Sequence, residues 1–499
     1  MRRTASLLMS LPPAARMKQT RWISPAPGSA RSFWLQEAMA VDPGEPCPPL
    51  SARVRADVCV VGGGFAGLWT ANELIEREPS LRIALLEQDI CGGGASGRNG
   101  GFFSSSWWDL PGLCRLFGQE DGIRYATRLA DEIDAAGRWC ERRRVDAWFH
   151  HEGALGARTG TWQEGGASTD PMAFAAERGL GERIRRLSAE ECRSYANSPR
   201  FVGGVYIRDS ATVQPARLAR GLRRVALERG VSIFEGTRVR SVRRGRPATV
   251  VADAGAVRAD HVVLTMGAWA AGWPGFGTAF GNIADHMVVT EPIPHLLEEI
   301  GWTTHAGIAD GRDMLYYLRR TDDDRIAIGG GTTGVVYGGR IDRRATHDHH
   351  VAEVAARGLL WLFPQLEGVR FTHAWGGPID MTASFVPFFQ TLDGGNVHAG
   401  LGFSGHGLAQ TKLGGRILAS LVLGTRDEWA SMPVVGPPIG GAPPEPLRFP
   451  LIRAAVWALE TGDAREDAGG RRGLLRELIG YAPLRNRDRL RSPRRSEIS

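Results

Sequence analysis

Lysine is nearly missing from this chain. Lys18 and Lys412 are the only lysines among 61 basic residues, so the formal net charge of +7 is carried by arginine. That bias fits GC-rich coding better than a basic surface. The arginines are scattered apart from a C-terminal run, and no nucleic-acid motif accompanies them, so nucleic acid is not an expected partner. No apolar run reaches the roughly eighteen residues that a membrane-crossing helix needs. Cysteine is sparse and one-sided. Cys47, Cys59, Cys91, Cys114, Cys140 and Cys192 form no CxxC pair or metal-like spacing, and none follows residue 192. Reduced thiols in a cytoplasm are the expectation, with Cys59 as plain core.

At 499 residues and 43% apolar content, the chain can build two domains or one large discontinuous one. Residues 1–21 contain no acid, and Arg2-Arg3 before Leu7-Leu8 weakly resembles an export signal, cut short by Pro12-Pro13. Met17 is an equally good start, and this stretch is expected to be disordered. Residues 24–53, rich in Pro, Ser and Ala, read as an extended lead-in.

Residues 57–87 carry the strongest signal. An apolar strand runs into Gly62, Gly64 and Gly67, then an amphipathic helix, then a second strand ending at Glu87. The first glycine permits a tight turn, the second lets backbone approach a pyrophosphate, and the third lets helix and strand pack closely. The helix N-terminus offers free N–H groups and partial positive charge to phosphate. Glu87 is placed to accept ribose hydroxyls and would repel a 2′-phosphate, which argues against NADP. Strand, helix, spacing and acid agree, so a dinucleotide site is expected.

NAD or FAD is decided by the rest of the chain, because a resident FAD needs anchors for its ribityl chain and ring. Two further glycine loops are candidates. In GASGRNGG (94–101), Ser96, Gly100 and Gly101 suit close backbone approach while Arg98 and Asn99 bring donors; GFSGHG (402–407) opens a helix whose N-terminus could stabilise negative charge. Helices are expected near 119–144, 181–195 and 213–230, the last with Leu218, Leu222 and Val225 inward. Strands are expected in HVVLTMGAWA (261–270), HMVVTEPI, MLYYLRR and RIAIGGG. A Pro/Gly-rich linker (433–446) precedes one amphipathic helix near 450–460 and an Arg-rich tail.

Together VVGGGFAGL (60–68), Glu87, GASGRNGG, HVVLTMGAWA, RIAIGGG, Trp375 with Pro387, and GFSGHG resemble the FAD-dependent D-amino-acid-oxidase-like superfamily, over about residues 50–425. The gamma-glutamylputrescine oxidase-like branch is the most similar, with sarcosine and glycine oxidases more distant. The resemblance implies an α/β (α+β) two-domain fold: a Rossmann-like FAD-binding domain of the glutathione-reductase type and a discontinuous substrate domain on a mixed β-sheet. The implied divisions are a lead-in at 1–53; an FAD-binding domain at 54–105, 206–275 and 370–425; a substrate domain at 106–205 and 276–369; and a linker, helix and tail at 426–499.

It further implies that Gly62, Gly64, Phe65, Ala66, Gly67 and Glu87 hold the ADP half. Ser96, Arg98, Asn99, Gly100 and Gly101 would line pyrophosphate and flavin. Val239 would meet adenine, Gly267 with Ala268 would pass the cofactor, and Gly402, Gly405, His406 and Gly407 would reach the pyrimidine edge. Relatives that tether FAD use a later cysteine or an early-loop histidine; both are absent here, so non-covalent FAD is expected. Sarcosine-oxidase-like lysines are absent too, from DMLYYLRR (313–320) and at Leu408-Ala409, and Lys412 is too isolated to replace them.

The expected activity is oxidation of a C–N bond in an amine or amino acid, with oxygen or another carrier as acceptor. Tyr316 or Tyr317 should face the flavin within an aromatic wall drawn from Phe102, Phe103, Trp107, Trp108 and Trp375. Arg98, Arg312 or Arg319 could grip an acidic substrate group. His406 could serve as a base, although loop geometry is the better reading. The alternatives are a flavin dehydrogenase feeding a membrane carrier, its basic tail on the lipid surface, and a non-catalytic flavin-fold binder. For that tail, packing back on the FAD domain is the favoured reading.

Overall fold

The computed structural model describes residues 20–22, 31–160 and 170–470. Residues 1–19 of the acid-free N-terminal stretch, with its two start sites, and the Arg-rich tail lie outside the described residues, while Arg21 pairs as strand with Arg370.

Two large sheets organise the chain. The nucleotide sheet runs Val239–Arg243, Ala248–Ala252, Ala256–Leu264, Arg53–Val61, Ile83–Leu86, Ser232–Phe234, with Val397–Leu401 joined to the far half of Ala256–Leu264. Its central pairings are parallel: Val58–Val61 align with Ile83–Leu86 on one side and with His261–Leu264 on the other. Parallel strands buried on both faces need continuous apolar runs, and Cys59, Val60, Val262 and Val263 are fully buried. Helix Phe65–Arg77 crosses over this sheet beside Gly407–Leu423, where Leu413, Ile417 and Leu421 recur every four residues; the first two are buried and Leu421 is half-buried.

The second sheet is mixed. Strand Gly281–Thr290 lies between Arg370–Met381 and Ile326–Gly330, which continues to Tyr316–Arg320, Gly307–Asp310, Ala154–Arg158, Gly203–Ile207 and Ile184–Leu187. Residues 370–381, grouped above with the nucleotide domain, instead pair antiparallel along Gly281–Thr290. The chain returns to the nucleotide sheet only at Phe388–Thr391.

Three local readings change. The lead-in holds a helix, Phe33–Val41, capped by the Ser32 side chain on the Leu35 N–H at 3.1 Å. Phe33, Trp34 and Leu35 bury against Trp375 and Ala327, which outweighs the proline-rich surroundings. Around 181–195 only Ala189–Arg193 is helical, because the Ser188 and Glu191 capping box starts the helix there and Ile184–Leu187 pairs as strand. The C-terminal helix spans Arg448–Asp467 and does not return to the nucleotide sheet. It lies against loops of the mixed sheet, where Asp463 accepts the Asp313 and Met314 N–H groups. All six cysteines are free, and Cys59 is fully buried.

Candidate active site

Between the sheets lies one cavity of about 1910 Å3. It is roughly twice the ~1,000 Å3 upper end of ordinary ligand pockets, enough for a dinucleotide with a second ligand beside it.

Its nucleotide half is made of backbone. Gly62 sits at φ +112°, where a Cβ would come 2.6 Å from the Thr265 carbonyl oxygen; a Cβ on Gly67 would overlap the Gly62 carbonyl. Both positions therefore require glycine, the first for conformation and the second for helix–strand contact. Gly64 caps helix Phe65–Arg77 without a side-chain hydrogen bond, so the first turn keeps N–H groups for a ligand. Gly62, Gly64, Phe65 and Ala66 line the cavity, whereas Gly67 works from behind. Ser96 Oγ accepts the Phe65 N–H at 2.8 Å, locking the second glycine loop to the first.

Glu87 is enclosed in this half. Its carboxyl accepts the Gly63 N–H at 2.7 Å and the Asp89 N–H at 2.9 Å, and burial pushes its pKa up to about 7. Val239, Gly267, Ala268, Ser96, Arg98, Asn99, Gly100, Gly405, His406 and Gly407 also line the cavity; Gly101 and Gly402 stand behind it. Turn, helix N-terminus and acid stand together as a dinucleotide cradle, the second loop is bonded to it through Ser96, and residues of the third loop line the same cavity. The residues present fit FAD.

Arg98 and Asn99 also hydrogen-bond to backbone around their loop. Arg98 Nε donates to the Gly93 carbonyl at 3.0 Å and Nη1 to the Gly376 carbonyl at 3.1 Å; Trp375 Nε1 donates to the Arg98 carbonyl at 2.7 Å. Asn99 Nδ2 donates to the Ser96 carbonyl at 2.8 Å, and its Oδ1 accepts the Gly101 N–H at 2.8 Å.

The second half is made of side chains. Strand alternation separates the two tyrosines. Tyr317 faces the cavity, while Tyr316 turns into the core under the Arg312 guanidinium. Tyr317 lies across strand Ile326–Gly330, over Gly329, where a Cβ would overlap its hydroxyl. The RIAIGGG segment thus lacks a side chain at this position so that the ring can cross. Tyr317 Oη donates to Asp285 Oδ2 at 2.9 Å, and the His286 N–H reaches Asp285 Oδ1 at 2.7 Å. Burial pushes the Asp285 carboxyl up to about 6 despite both bonds. Burial likewise raises two other cavity acids, Asp310 to about 7 and Asp380 to about 6. The chamber is acid-lined, and Phe102, Phe103 and Trp108 complete its wall. His406 stands in ring contact with Trp108, with centroids 5.3 Å apart.

Several candidates are placed elsewhere. Trp107 and Trp375 are core. Arg312 pairs with Asp467 at 3.0 Å, and fully buried Arg319 donates to the Val213 carbonyl at 2.5 Å; neither lines the cavity. Lys412 pairs with Glu132 at 3.1 Å, both buried between helices. Sequence reasoning missed Asp285. Its signal was an acid within the alternating GNIADHMVVT, where Gly281, Ile283, Asp285 and Met287 share the cavity face.

Comparison with known proteins bears on family and fold. The chain is 27% identical to gamma-glutamylputrescine oxidoreductase of Escherichia coli (strain K12) over 420 residues, covering 83% of this chain and 95% of that protein. It is 24% identical to sarcosine oxidase subunit beta of Rhodobacter capsulatus, covering 71% and 82% respectively. Among solved structures, glycine oxidase from Geobacillus kaustophilus superposes with a TM-score of 0.60 at 20% identity, covering 75% of this chain and 96% of its own. L-proline dehydrogenase from P. horikoshii gives 0.62 at 19%, covering 78% and 96%. The family model for DAO, FAD dependent oxidoreductase, matches residues 57–421, and the chain belongs to that family.

Proposed function

We propose that this enzyme oxidises a C–N bond in an amine or amino acid, with the FAD ring seated between the Ser96–Gly101 and Gly405–Gly407 loops. When bound, FAD supplies a two-electron acceptor for the hydride on the carbon next to nitrogen; the resulting imine adds water and splits into a carbonyl compound and an amine or ammonia. The electrons then pass to oxygen or another acceptor.

The observation that carries this reading is the junction within one cavity: the dinucleotide cradle opens directly onto the acid- and aromatic-lined chamber. Phe102, Phe103 and Tyr317 give the chamber an aromatic wall, and the desolvation it imposes favours the uncharged amine, the form with a lone pair to release. The Asp285 carboxylate, held by Tyr317 and His286, accepts the amine N–H and orients its carbon. Arg98 and Asn99 brace the flavin loop, and His406 with Trp108 closes its pyrimidine side. No cysteine follows Cys192 and no histidine stands in the 94–101 loop, so neither covalent link is available and FAD is held non-covalently. The gamma-glutamylputrescine-acting relative supports an amine over a small N-methyl amino acid.

Anaerobic mixing with putrescine, gamma-glutamylated diamines, sarcosine, glycine and D-amino acids tests this. Amines should bleach the flavin absorbance. Bleaching by the small amino acids alone would overturn the choice of amine, and bleaching by none would overturn catalysis. Peroxide yield under air separates an oxidase from a dehydrogenase.

A further inference from the structure

Helix Arg448–Asp467 lies beyond the stretch matched by the family model, which ends at residue 421. It is nevertheless a wall of the same cavity, lined by Arg448, Leu451, Ile452, Ala455, Val456 and Leu459. Steps of three and four residues place these on one stripe. The helix is clamped at both ends. Arg448 donates to the carbonyls of Pro443, Phe280 and Gly277. Toward the other end, Asp463 accepts the Asp313 and Met314 N–H groups at 3.1 and 2.8 Å, and Asp467 pairs with Arg312 at 3.0 Å. Between the clamps the cavity face is hydrocarbon alone.

Strand Gly281–Thr290 measures the distance from this wall to the chamber. Ile452 abuts Gly281, where a Cβ would come 2.9 Å from its Cδ1. Asp285 stands four residues along on the same face, about 13 Å away at roughly 3.3 Å per residue. Ile283 lies between them and also lines the cavity.

We infer that this helix is a specificity wall for an elongated substrate: the nitrogen-bearing carbon lies near Tyr317 and Asp285, and an uncharged aliphatic stretch runs over Ile283 toward Ile452 and Val456. This rests on the proposed amine oxidation and adds the shape of the amine. An apolar wall at that distance rewards methylenes and penalises charge. A compact amino acid would leave it uncovered.

The test uses full-length holoenzyme and straight-chain primary amines from ethylamine to octylamine. The half-saturating concentration is read from perturbation or bleaching of the flavin absorbance under anaerobic conditions. In the native protein it should fall about fourfold for each methylene laid on the wall. Val456→Asp should flatten that dependence, and Ile452→Ala with Val456→Ala should weaken it, while FAD content and the ethylamine value hold steady. Equal chain-length dependence in native and variant proteins, or none in the native protein, overturns the wall. Should octylamine bind with the expected preference without bleaching, the wall stands and the catalytic reading falls.

Discussion

The two halves of the cavity are built from different materials. The nucleotide half relies on main chain: a left-handed glycine, a helix N-terminus and one acid gripped by backbone N–H groups. The amine half relies on side chains that cross from strand to strand, such as Tyr317 over Gly329 to Asp285. Main-chain sites tolerate almost no added atoms at their glycines but are indifferent to most neighbours. Side-chain sites can be retuned one residue at a time. The fold thus keeps its cofactor constant and leaves its substrate open to change.

The largest effect should come from Gly67→Val, whose side chain would overlap the Gly62 carbonyl. Protein isolated from this variant is expected to be colourless, and retention of flavin absorbance would break the contrast. Gly329→Ala should do the opposite. Its Cβ displaces Tyr317 while the cradle stays intact, so FAD content is kept and kcat/KM falls about 100-fold, the scale of a roughly 1 Å misplacement.

Glu87→Gln addresses the acid that the main-chain half grips by its N–H groups. Burial raises the Glu87 pKa from 4.5 to about 7, so the native apoprotein holds a proton that the unfolded chain has lost. Stability of the apoprotein should therefore fall as pH rises through that window. FAD affinity should rise over the same range, because ribose hydroxyls and N–H donors all favour the carboxylate, by at most about tenfold per pH unit. Glutamine should flatten both profiles in thermal melts and FAD titrations.

The smallest effect is expected at His406. Loss of its ring contact with Trp108 in His406→Gln is worth about 0.5–1.5 kcal/mol, a two- to tenfold change in kcat/KM. A general base would cost about 100-fold or more, so stopped-flow reduction rates decide between the two roles.

The same contrast explains how far the sequence could be read. The cavity positions of Gly62, Gly64, Glu87 and Ser96 and the tight packing at Gly67 were legible because they depend on local backbone geometry at fixed spacing. Individual strands followed from apolar runs, whereas their division between two sheets came with the family resemblance. Tyr316 and Tyr317 were indistinguishable, since alternation places one inward but only the assembled sheet says which. Asp285 was hidden because its importance comes from a partner 32 residues away. Arg98 looked like a ligand donor, yet its described bonds tie loops, a distinction that depends on contacts with residues 93 and 376. Helix Phe33–Val41 was masked by the prolines around it, and its reason to form is burial against Trp375.

Arg98 sits where one sheet meets the other, fastened on each side to peptide oxygens. Through Gly376 this one guanidinium joins the early glycine loop to strand Arg370–Met381, so any change at Arg98 is felt by floor and chamber together.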